Sequence, residues 1–140
     1  MLLAICINTL IVIISVLIHY EVLNFLSQKL MQFRKRHRFL VLVGVLGSML
    51  AHILEVFIFG MGIYGMLQID GMGTLEGSFD GSFIDCVYFS FTNYTTLGYG
   101  DISPFGYVRF LAALESLTGL VLITWSASFM FIEMQRFWKK

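Results

Sequence analysis

Seven consecutive residues, Thr95-Thr96-Leu97-Gly98-Tyr99-Gly100-Asp101, offer the most definite chemistry in this 140-residue chain. They supply neither a nucleophile with a base nor a set of metal-ligating side chains. What they offer is backbone. Glycine tolerates positive φ, so Gly98 and Gly100 allow the chain to turn its carbonyl oxygens inward. A dehydrated cation needs oxygens in place of its lost water, and closely spaced carbonyls can provide them.

Elsewhere no nucleophile–base pair or metal cluster stands out, so no enzyme and no bound cofactor are expected. The remaining chemistry lies in ionisable residues set within apolar stretches: His52, Glu55 and Glu115, with His19 and Glu21 nearer the end of the first stretch. Such groups are costly in lipid and face protein or water. His52 and Glu55 are three apart and share a helix face. They can form a proton-sensitive element, because histidine titrates near physiological pH, or simply a buried hydrogen-bonded pair between helices. The second is the simpler reading. His19 and Glu21 are expected to be interface residues.

The elements that position these residues follow from composition. With 58% apolar and 13% charged residues, the chain belongs with membrane proteins. Spanning the hydrocarbon takes roughly 20 apolar residues, and three stretches qualify, about 2–25, 39–67 and 105–134. Each is expected to be a helix, since a chain that is not a closed barrel can satisfy its backbone in lipid only that way. Cys6 and Cys86 have neither ligand spacing nor a disulfide framework around them, and small buried hydrophobes are expected there. No cleavable leader is apparent, so the first stretch is expected to stay as a helix.

The Gly- and Asp-rich segment 70–81 reads as a solvent-exposed loop. Ser82 and Asp85 then form a helix-capping signature. The helix they start, about 83–95, is too short to span. A short helix at membrane depth that runs into Gly98-Tyr99-Gly100 is re-entrant, and irregular backbone there is tolerated only where it lines a water-filled path.

Charge placement sets the expected orientation. Lys29, Arg34, Lys35, Arg36 and Arg38 lie between the first two spans, and Arg136, Lys139 and Lys140 follow the third. The positive-inside rule assigns that side to the cytoplasm. Asp70, Glu76, Asp80, Asp85 and Asp101 lie on the other side. The expected organisation is an N-terminal transmembrane helix 1–28, a basic cytoplasmic loop 29–38 and a pore domain 39–140. That domain divides into an outer helix 39–67, an extracellular loop 68–82, a pore helix 83–95, the segment 95–101, an inner helix 105–134 and a short cytoplasmic tail. The N-terminus is then outside the cell (inner) membrane and the C-terminus in the cytoplasm. The fold class is an all-α integral membrane protein with three spans. Its expected surroundings are a lipid bilayer, with no nucleic acid. The cluster 34–38 serves as a topology signal; contact with anionic lipid head groups is the sharper alternative.

The seven-residue segment resembles the filter signature of the potassium channel superfamily, with six positions matching the usual pattern. The resemblance covers about 39–134, and the chain looks like small bacterial members of the ion-channel family carrying one extra N-terminal helix. It implies that carbonyls of Thr96, Leu97, Gly98 and Tyr99, with the Thr96 hydroxyl, form K+ sites, K+ being the transported ion. It also implies a homotetramer, because one chain supplies a quarter of each ring. Thr95, Gly100, Asp101 and Tyr88 become filter supports, Tyr88 by offering its hydroxyl to Asp101. The chain departs from the common pattern in having Leu97 for Val or Ile, Tyr88 and Phe89 for two tryptophans, and Thr92 where some members carry a carboxylate.

Gly119, nineteen residues after Gly100, lies near the family's hinge glycine, and equally suits helix packing. Leu120, Thr124, Ala127 and Phe131 recur at helical spacing and would line the cavity or else face the outer helix. Glu115, roughly 15 Å along the helix from Phe105, is expected to support the filter from behind, with donors from Thr92, Asn93, Tyr94 or Thr95. The function implied is a potassium-selective channel. A weakly selective cation channel and a non-conducting scaffold or regulatory subunit are the alternatives. No helix bears an arginine every third residue, as voltage sensing would need.

Overall fold

The computed structural model describes residues 1–32 and 37–138. In chain order the elements are α1 (Leu2–Gln32), α2 (His37–Leu67), β1 (Gly73–Gly77), α3 (Phe83–Tyr94), β2 (Ile102–Gly106) and α4 (Val108–Trp138). The three long helices have 31 residues each. At 1.5 Å per residue that is roughly 46 Å, more than the roughly 30 Å of a hydrocarbon core. Their apolar windows, Leu2–Lys29, Phe39–Leu67 and Val108–Gln135, are long and apolar enough to cross a membrane. Large apolar side chains such as Leu10, Leu17, Leu50 and Phe110 remain exposed on the single chain. Helices apolar all round suit lipid or further protein rather than water.

The first helix runs past residue 28 to Gln32, so His19 lies near its middle and not at its end as expected. Residues 34–36 of the basic cluster, and Lys139 and Lys140, lie outside the described residues. Cys86 is buried, but Cys6, expected to be buried, is exposed on the outward side of α1. Glu21 is also exposed.

The core forms where α2, α3 and α4 meet. Phe59 and Ile63 of α2, Cys86, Val87 and Tyr94 of α3, and Val108 and Leu111 of α4 are all buried there. α1 packs along α2 and α4, with Ala4 and Ile11 joining the same core. Among the described residues, α1 is therefore a fourth wall of its own chain's bundle.

Local signals start α3 as the sequence predicts. Ser82 Oγ accepts from the Asp85 backbone N–H at 3.1 Å, and Asp85 Oδ2 accepts from the Asp80 N–H at 2.9 Å. Asp80 in turn accepts from the Ser82 N–H at 2.7 Å. Bonds from the Ser82 side chain and backbone hold the Asp80 carboxyl below its ordinary range.

One element was not legible. Part of the expected loop pairs with the expected start of the third helix as an antiparallel ribbon, in the register Gly73↔Gly106, Leu75↔Pro104 and Gly77↔Ile102. The third helix therefore begins at Val108 and not at 105. Pro104 explains the difference, since it cannot donate to a helix and is accommodated on an edge strand. Met72, Leu75 and Ile102 anchor the ribbon by burial. Tyr107 N and Val108 N both donate to Met72 O, at 2.8 and 3.1 Å, which fixes the helix start to the ribbon.

Candidate functional site

The segment 95–101 leaves the C-terminus of α3 and ends at the ribbon. Its φ alternates in sign: Thr96 is at 58°, Gly98 at 54° and Gly100 at 78°, whereas Leu97 and Tyr99 keep the ordinary negative values. Thr96 is the only non-glycine residue among those described with positive φ, a conformation that costs about 1 kcal/mol or more and persists only where neighbours impose it. Alternation of this kind lets successive carbonyls share one side of the chain. Residues 95–100 are exposed in the single chain, with Leu97 at 58% and Tyr99 at 67%.

Both ends of the segment are tied. At the helix end, Thr92 O accepts from Leu97 N at 2.9 Å and from Gly98 N at 3.1 Å, while Asn93 O accepts from Thr96 N at 2.9 Å. These bonds use carbonyls that the end of a helix leaves unpaired. At the ribbon end, Ser78 N donates to Asp101 O at 2.8 Å, and Tyr88 OH donates to Asp101 Oδ2 at 2.8 Å. The structure thus brings Tyr88 and Asp101 together. Thr95 caps α3, and its hydroxyl donates back to Phe91 O at 2.7 Å.

Behind the segment, Glu115 is fully buried on α4. Its partner is Ser90, two residues before the first of those expected to supply donors, and none of Thr92, Asn93, Tyr94 or Thr95 bonds it among the described residues. Ser90 Oγ also lies 2.8 Å from Val56 O, so one hydroxyl joins α2, α3 and α4. Thr92 is turned away, donating to Phe89 O at 2.8 Å.

Gly119 lies where α4 crosses the end of α3. A Cβ built there would meet Tyr94 O at 2.2 Å, so the absence of a side chain sets the closeness of that crossing. Leu120, Thr124, Ala127 and Phe131 all lie exposed on α4, whereas Leu111, Glu115, Leu122 and Ser126 are buried. The Thr124 hydroxyl is 2.9 Å from its own helix carbonyl at Leu120 and 2.8 Å from that at Val121.

A second polar centre was only half visible in the sequence. Glu55 is fully buried, with Oε1 2.8 Å from His19 Nδ1 and Oε2 3.2 Å from His52 Nδ1. Tyr94 OH donates to the same Oε2 and lies 2.9 Å from His52 Nδ1. Ser126 Oγ sits 3.3 Å from His19 Nε2. The expected His52–Glu55 pair is therefore half of a network that joins all four helices. His19, expected at an interface, does lie buried between helices, but its link to His52 and Glu55 was not anticipated because α1 carried no assigned role. A signal existed: His19 lies thirteen residues before the end of α1 and His52 fifteen after the start of α2. Antiparallel neighbours place such residues at one depth.

The family described as Ion channel matches residues 51–136, more than half of the chain. The chain belongs to that family, and the matched region runs from the middle of α2 through α3 and most of α4. With its three apolar spans it is a multi-pass membrane protein. All of α1, the helix that contributes His19, lies outside the matched region. Neither the curated proteins nor the solved structures gave a match.

Proposed function

We infer that this ion channel is a homotetramer selective for K+, with carbonyls of Thr96, Leu97, Gly98 and Tyr99 and the Thr96 hydroxyl forming its selectivity filter. The observation that carries this is the alternation of φ along residues 96–100. Carbonyl rings replace the hydration shell of a permeant ion, and four chains are needed to close each ring. The exposed segment 95–100 and the exposed α4 stripe of Leu120, Thr124, Ala127 and Phe131 are the surfaces that such assembly would turn toward a central path. The C-terminal ends of four α3 helices would direct partial negative charge at that path and favour a cation there.

Thr95, Gly100 and Asp101 terminate the filter, with Tyr88 bracing Asp101 and Glu115 bracing α3 from behind. Gly119 packs closely against Tyr94, and in this reading it also serves as the hinge of α4. The basic connection between α1 and α2 faces the cytoplasm in this reading, with the ribbon and the N-terminus outside.

Purified protein in liposomes is expected to pass K+ in preference to Na+. A bulky or charged residue at Gly98 is expected to abolish flux, because φ of 54° is strained for any side chain. Equal Na+ permeability, or normal flux through Gly98→Asp, overturns the assignment. Equal permeability with flux intact would point to the weakly selective cation channel, and no flux at all from intact tetramers to a scaffold.

A further inference from the structure

We propose that His19, His52 and Glu55 form an intramembrane binding site for a divalent transition-metal ion of the zinc class, one per chain. Each of the three residues offers one ligand atom, and these atoms lie within 4.8 Å of one another. Two imidazoles and a carboxylate are a recurrent donor set for Zn2+, which takes four ligands at roughly 2.0–2.2 Å. Glu55 Oε1 lies 2.8 Å from His19 Nδ1 and Glu55 Oε2 lies 3.2 Å from His52 Nδ1, so modest side-chain adjustments would let the three residues surround such an ion.

The surroundings argue for a built site and not a chance meeting of polar groups. His19 turns Nδ1 toward Glu55 while its other nitrogen, Nε2, faces Ser126 Oγ at 3.3 Å. A metal-ligating histidine is oriented in this way, by a hydrogen bond at the nitrogen that does not bind metal. His52 Nδ1 faces Glu55 Oε2 and Tyr94 OH together, so one nitrogen is directed at a point between two oxygens. The Tyr94 hydroxyl is within reach as a fourth donor or as the holder of a bound water. His19 and Glu55 are fully buried, and burial at this depth is expensive unless the charge is paired. A cavity of about 200 Å³, lined by Met49, His52, Ile53, Phe91, Tyr94 and Ile123, opens beside His52, whose side chain is 19% exposed.

This inference does not depend on potassium selectivity, and binding is read without measuring flux. The full chain, purified as its native oligomer with Cys6 replaced by serine, is titrated with Zn2+ against a fluorescent chelator. Co2+ absorption is recorded in parallel. One Zn2+ per chain is expected, with Co2+ bands of a nitrogen–oxygen site and no thiolate charge-transfer band. His19→Gln and His52→Gln, which retain polar side chains of similar reach, are expected to abolish stoichiometric binding. Ser126→Ala is expected to weaken it about 10- to 100-fold through loss of the orienting bond. Absence of stoichiometric binding in the wild type, or a stoichiometry unchanged in the His19→Gln, His52→Gln double variant, overturns the site and leaves a hydrogen-bonded network only. A thiolate band assigns the metal to Cys86 and overturns it equally.

Discussion

The hydroxyl of Tyr94 donates to the carboxylate of Glu55, so the last residue of α3 is bonded to the middle of α2 immediately before the segment 95–101 begins. The same tyrosine places its carbonyl against Gly119 of α4. One residue therefore registers α3 against both long helices that flank it.

Replacing Tyr94 by phenylalanine keeps the ring and removes the bond. Glu55 then loses a donor in a buried site, at a cost of about 1–3 kcal/mol. The thermal stability of the solubilised oligomer should fall, and K+ flux should fall with it because residues 95–101 lose their reference point. A Tyr94→Phe channel with unchanged melting and unchanged flux would show that the bond is dispensable.

At Glu115 the shape of the network separates two substitutions. Ser90 has a single hydrogen and two oxygens within reach, Val56 O and Glu115, so a partner able to donate suits it. Glu115→Gln supplies a donor at nearly the same volume and should keep most conduction. Glu115→Leu leaves Ser90 with one partner fewer and should destabilise the conducting state by about 1–3 kcal/mol. Normal flux through Glu115→Leu, or ready modification of a cysteine at 115 by cationic reagents from the cytoplasmic side, would contradict the supporting role.

Gly119→Ala puts a methyl group where Tyr94 O already stands, 2.2 Å from the new carbon. Because the obstacle is backbone and not a side-chain tip, α4 must move, and overpacking of this kind costs about 1–3 kcal/mol or more. Reduced oligomer stability on gel filtration and reduced flux are expected. Wild-type stability with altered opening alone would favour a hinge over packing.

Orientation is checked with an impermeant thiol reagent on intact cells, in a Cys6→Ser background because Cys6 is exposed. A cysteine at Thr74 on the ribbon should be labelled, and one at Arg36 should not. The opposite pattern reverses the topology.

What the sequence made legible was whatever depends on local chemistry. Span lengths and the Ser82–Asp85 cap follow from side-chain type and short spacing, while the Tyr88–Asp101 contact was implied by the family resemblance and is present in the structure. The ribbon was hidden because Gly73-Thr74-Leu75-Glu76-Gly77 has a glycine at each end and only two residues, Thr74 and Leu75, with much to recommend a strand. Its pairing energy comes from residues about thirty positions away. Ser90 was passed over as the partner of Glu115 because helical depth alone, counted from Phe105, ignored the later start of α4 at Val108. His19 belongs to the same class, a residue whose role exists only once two helices lie side by side.

The ribbon has a consequence for the exposed segment. Residues 95–100 hang between two fixed anchors, the carbonyls of Thr92 and Asn93 at one end and Ser78 N on Asp101 O at the other. A strap of six residues bonded at both ends has limited freedom to shift as a unit, and Thr96, Leu97 and Gly98 are each held to the end of α3 by a backbone bond. Buried Met72, Leu75 and Ile102 on one side and buried Tyr94 on the other fix the two supports from which the strap hangs. Because Asp101 is held by Ser78 of the connection after β1 and by Tyr88 of α3, a movement of the ribbon would be felt at the strap's outer end, which makes a pair of short strands an outer clamp on this exposed backbone.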